Sequence, residues 1–141
     1  MGNFFFNAHS GLRYLILLAG VLTVLYAMYG VASGRAYDKV IRILATSFAG
    51  TIHLQILLGL AMLFSGAGFQ PALTGHFSMM LFAAAVAQIP VSVMRRRPEE
   101  TKSYVPHGVA ALVALALIAG GILAIRPSIF GCGRYGRYPA R

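Results

Sequence analysis

Residues 40–64 are apolar over about 25 positions, longer than the roughly 20 a helix needs to cross a bilayer. That run limits the chain to folds in which backbone polar groups bond within their own segment. Three further runs, at about residues 12–32, 75–93 and 105–125, share its character. Short loops separate them. The predicted fold is all-α, an integral membrane up-down four-helix bundle within residues 1–126. A basic extramembrane tail rich in Gly, Arg and Tyr follows at residues 127–141. The uncharged aromatic residues 1–8 read as a retained interfacial anchor, because they lack a signal peptide's basic start and small-residue cleavage site.

Only 11% of the residues are charged, against about 25% in soluble domains. The net charge of +9 says little about partners until the charges are placed, and no nucleic-acid partner is expected. The three acids, Asp38, Glu99 and Glu100, fall between the apolar runs. No span therefore carries the carboxylate that proton or cation transport usually uses. The single cysteine, Cys132, forms no internal disulfide, and the absence of CxxCH excludes the usual covalent c-type haem attachment. No HExxH, P-loop, GxSxG or GxGxxG pattern occurs, so stand-alone catalysis is not expected.

Lys and Arg set the orientation. Arg35, Lys39 and Arg42 flank the first loop, while Arg95, Arg96, Arg97 and Lys102 flank the third; the second loop has none. Arg13, Arg126, Arg134, Arg137 and Arg141 lie on the opposite side, a contrast of seven against five. The empty second loop decides the reading: both termini on the non-cytoplasmic side of a bacterial inner membrane, multi-pass.

There are four histidines, one per helix: His9, His53, His76 and His107. Each sits on a stripe of small residues at 3–4 spacing. His9 heads Arg13, Ile16, Gly20, Thr23, Ala27 and Gly30, while Thr46, Gly50 and His53 share one face of the second helix. His76 is followed by Met80, Ala83, Ala87 and Pro90, and His107 by Ala111, Ala114, Ile118 and Gly121. Such stripes either let helices approach closely or leave room for a flat cofactor. Neutral imidazole ligates iron, copper and zinc. A six-coordinate haem b needs two histidines at one depth, and His9 with His76, both at the outer edge, is the best-matched pair. Arg13, one turn inside His9, is placed to meet a haem propionate. His53 lies roughly 15 Å deeper at 1.5 Å rise per residue and suits a second site. His107 follows Pro106 at a helix start and is the weakest candidate ligand. Gln55 and Gln88 read as interhelical hydrogen-bond glue. A chlorophyll-type pigment or a quinone remains an alternative cofactor, and a cofactor-free accessory subunit an alternative function.

At these residues the chain resembles small bacterial four-helix membrane proteins labelled cytochrome b-like. His9-Ser10-Gly11-Leu12-Arg13-Tyr14 is similar to their first-helix opening, the stretch from His53 to Leu60 to their second-helix pattern, and His76-Phe77-Ser78-Met79-Met80 to their third-helix opening. The resemblance covers about residues 9–95 and implies a haem-binding membrane protein with His9, His53 and His76 at the matching positions. His107 falls outside it. The bilayer is one expected partner. The others are subunits of a larger respiratory or photosynthetic complex, met by the tail and by Phe4, Phe5 and Phe6, since Tyr and Arg favour interfaces.

Overall fold

The computed structural model describes residues 2–67, 69–71, 73–125 and 129. Its main elements are α1 (Gly2–Ala32), α2 (Lys39–Met62), α3 (Leu73–Arg96) and α4 (Val105–Leu123). Each is long and apolar enough to cross a membrane. The shortest, α4, has 19 residues, or about 28 Å of helix against a hydrocarbon core of roughly 30 Å.

Contacts at the helix ends fix the topology. His9 near the start of α1 meets Gln55 near the end of α2, and His76 near the start of α3 meets Gly121 near the end of α4. Along α1 and α4, Gly20 faces Leu115 while Gly30 faces Tyr104, so these two also run antiparallel. The helices form a ring in chain order, with α1 diagonal to α3 and α2 diagonal to α4.

Three inward faces match the expected stripes. Arg13, Ile16, Gly20, Thr23, Ala27 and Gly30 are buried on α1, as are Met80, Ala83, Ala87 and Pro90 on α3. On α4 the buried set includes His107, Ala111, Ala114, Ile118 and Gly121. Larger apolar side chains such as Leu15, Leu18 and Leu22 point outward. The arrangement suits a bundle in lipid, where small residues let backbones pack closely and bulky ones face the tails.

The second helix differs from expectation. Its buried face carries Ile41, Ala45, Phe48, Ala49, Ile52 and Gln55, whereas Thr46, Gly50 and His53 are exposed. Small residues occur on both sides of this helix, so the spacing alone fits either rotation. What fixes it is that Phe48 and Ile52, each 1% exposed, fill the centre of the core. The first helix also begins earlier than expected. It starts at Gly2 rather than near residue 12, because nothing between Asn3 and Gly11 breaks it, and the aromatic lead-in is helix.

The connection from α1 to α2 is tightly built. Asp38 caps α2 by accepting from the Ile41 amide (3.1 Å), and its other oxygen accepts from the Tyr26 hydroxyl (2.6 Å). Tyr104 donates to the Ala36 carbonyl (2.8 Å) and packs against Gly30, where a Cβ would come within 2.6 Å of its ring. Past Met62 the chain widens into a π-helical turn, Leu63–Ala67, which Gly66 ends at φ 108°, a conformation open to glycine. The tail at residues 127–141 lies outside the described residues, except that Ile129 packs against the core.

Candidate cofactor-binding site

Where the four helices and the turn after α2 converge, the bundle holds a cavity of about 380 Å³. This falls within the ordinary 300–1,000 Å³ range of ligand pockets, which are mostly apolar with a few placed polar groups. Its walls are largely Ile16, Ile52, Ile56, Met80, Ile118 and Ile122, and the polar groups are few: His9, Ser10, Arg13, Gln55, Gln70 and His76.

His9 and His76 reach this cavity from diagonally opposite helices. Their ring centres are 6.4 Å apart and the ring planes cross at 67°. Each ring is oriented through its Nδ1. His9 Nδ1–H donates to the Gln55 backbone carbonyl (3.2 Å), and His76 Nδ1–H donates to the Gly121 carbonyl (2.8 Å). A carbonyl only accepts, so the proton sits on Nδ1 and the lone pair falls on Nε2 in both rings. Metal-binding histidines are commonly held by this kind of outer hydrogen bond. Gly59 makes room for the first ring, since a Cβ there would approach His9 Cε1 at 3.3 Å.

Gln55 locks the level of the pair, since its Nε2 donates to the His9 carbonyl at 2.8 Å. The expected role of Gln55 as interhelical glue is realised. Gln88 instead donates to Ser92 within α3 (3.1 Å).

Arg13 is 8% exposed. Its Nη2 donates to the Tyr14 hydroxyl (2.9 Å), but its Nε has no partner among the described residues. Gln55 Oε1 is likewise buried and unpartnered. An arginine in an apolar wall is costly without an anion beside it. Asp38, Glu99 and Glu100 all belong to the connections at the other end of the bundle.

His53 is not part of this group. It stands two residues from Gln55, so its level differs from that of His9 by only about 3 Å of helix rise, not the expected 15 Å. Direction separates them: residues two apart on a helix point to opposite sides. His53 Nδ1–H donates to the Ala49 carbonyl of its own helix (2.7 Å), on the outer surface.

His107 lies at the opposite end. It is 1% exposed, stacked on Tyr37 with 5.7 Å between ring centres, and its Nε2 is 2.8 Å from the Tyr37 hydroxyl. Burial pushes the Tyr37 phenol above its ordinary range, opposed by Arg42. This pairing ties the α1–α2 loop to the start of α4, and the sequence held no sign of it because Tyr37 is 70 residues away.

Among the described residues no group of three or more His, Cys, Asp or Glu side chains is placed to hold a metal ion. The histidine pair offers two ligands, a set suited to a cofactor that brings its own remaining ligands. Comparison with family models, with curated proteins and with solved structures finds no match.

Proposed function

We propose that this chain binds a b-type haem between His9 and His76 and serves as an electron-transfer subunit of a larger membrane assembly. The observation that carries this reading is the pair of imidazoles brought together at one cavity, each with Nδ1 committed to a backbone carbonyl. Their ring centres are 6.4 Å apart, near enough for one group to engage both. Haem would supply a one-electron couple when bound. His9 and His76 would hold it, with Gln55 and Gly121 orienting their rings and the isoleucine walls keeping water away. Arg13 Nε is the donor for a propionate, a charge-assisted contact that also settles the buried guanidinium.

The chain sits as a multi-pass protein in a bacterial inner membrane, with both termini on the non-cytoplasmic side, as its loop charges favour. Phe4, 69% exposed, and Phe6, 37% exposed and lining the cavity mouth, offer a docking surface for a partner subunit. A quinone is the second reading. The same cavity is lined by a donor, Arg13 Nε, and an acceptor, Gln55 Oε1, neither with a partner among the described residues, which suits a quinone or quinol head group.

Haem titration of purified variants tests the proposal. His9→Ala and His76→Ala are expected to lose binding, whereas His53→Ala and His107→Ala retain it. Equal binding by wild type and His76→Ala refutes it, and co-purified quinone without haem moves the assignment to the second reading.

A further inference from the structure

A second groove lies on the outside of the bundle, between α3 and α4, at the end bearing Arg95, Arg96 and Arg97; its volume is about 360 Å³. We propose that this groove binds one anionic glycerophospholipid, with an acyl chain along it and the phosphate on Arg97. The walls come from one face of each helix: Val86, Ile89 and Val93 on α3, Val109 and Val113 on α4. Four of these five are markedly exposed, Ile89 at 59% and Val109 at 57%, so the groove opens outward.

Two features identify the occupant. The first is length. From Arg97 to Val86 the groove follows 11 residues, about 16 Å at 1.5 Å each, against roughly 15 Å for half of a 30 Å hydrocarbon core. One end lies at headgroup level and the other near the bilayer centre. The second is charge. Arg97 lines the groove and joins neither ion pair seen among the described residues, Arg35 with Asp38 and Lys102 with Glu99. Basic pockets between transmembrane helices are suited to anionic headgroups. A second copy packed by two-fold symmetry on this face would set one arginine run against another, which like charges oppose.

The test is native mass spectrometry of the chain released from nanodiscs of equal parts phosphatidylglycerol and phosphatidylcholine. The wild type is expected to retain one phosphatidylglycerol in preference to phosphatidylcholine. Arg97→Gln lowers that preference about fivefold, the effect of one basic residue near an anionic surface. Val93→Trp fills the groove and abolishes retention. Arg42→Gln removes the same charge from α2, away from the groove, and leaves the preference unchanged. The proposal is overturned if Arg97→Gln retains the preference, if Arg42→Gln loses it equally, or if Val93→Trp still carries the lipid. A wild-type dimer that Val93→Trp dissolves also overturns it, assigning the groove to a second copy. Unchanged far-ultraviolet circular dichroism shows that each variant is folded.

Discussion

Gly30 and Gly50 have opposite surroundings, so the same substitution at each has opposite consequences. A Cβ on Gly30 meets the Tyr104 ring at 2.6 Å. That ring has nowhere to go: it is 4% exposed, tied to the Ala36 carbonyl, and packed between Tyr26 at 6.3 Å and Tyr37 at 5.7 Å. Overpacking of this kind costs about 1–3 kcal/mol. Alanine recovers about 1 kcal/mol of helix propensity over glycine, leaving Gly30→Ala destabilised by about 0–2 kcal/mol. A Cβ on Gly50 meets nothing within 4 Å, so Gly50→Ala keeps the propensity gain and is stabilised by up to about 1 kcal/mol. Propensity cancels in the comparison, and the two variants differ by the overpacking cost, about 1–3 kcal/mol. Reversible unfolding in mixed micelles, followed by circular dichroism, measures the difference. If Gly50→Ala destabilises as much as Gly30→Ala, the Thr46, Gly50 and His53 face is packed and the rotation assigned to α2 is wrong.

Other perturbations separate the two ends of the bundle. Tyr37→Phe leaves both ring nitrogens of His107 buried and unpartnered, at a cost of about 1–3 kcal/mol in the same unfolding assay, without changing haem titration at the far end. Arg13→Leu is expected to fold normally and to bind haem about tenfold more weakly or worse, given the 1.5–3 kcal/mol typical of a hydrogen bond to a charged group; Arg13→Lys does not restore the loss, since lysine lacks the Nε donor. At Asp38, burial pushes the carboxyl up, but hydrogen bonds from Tyr26 and from the Ile41 amide outweigh it and hold the group below its ordinary 3.8. A depressed carboxyl contributes stability above its unfolded value and loses it as the pH falls through the folded one. A pH–stability profile should therefore decline below about pH 4, and Asp38→Ala should flatten the decline and cost about 1 kcal/mol of capping.

Most of the bundle was legible from spacing. The stripes headed by His9, His76 and His107 face inward as read, with His9 and His76 half-buried at the cavity and the rest buried. The α2 face was not legible, since Ala45 and Ala49 point inward while Thr46 and Gly50 point outward at the same spacing. His53 and Gln55 are two apart and cannot both face the core. The choice rests on Phe48 and Ile52 filling the core and on a bond formed only in the folded bundle, from Gln55 to the His9 carbonyl. The meeting of His9 with His76 was legible because each lies near the start of an odd-numbered helix, at the same end of an up-down bundle. Their Nδ1 partners, two backbone carbonyls, leave no mark in the side-chain pattern.

The most direct test of the central claim is a reduced-minus-oxidised spectrum with pyridine haemochrome, taken on the purified chain or its detergent-solubilised complex. The account predicts one haem b per chain in the wild type and in His53→Ala, with none in His76→Ala. A well-folded wild-type preparation without haem, or a haem that persists in His76→Ala, would contradict it.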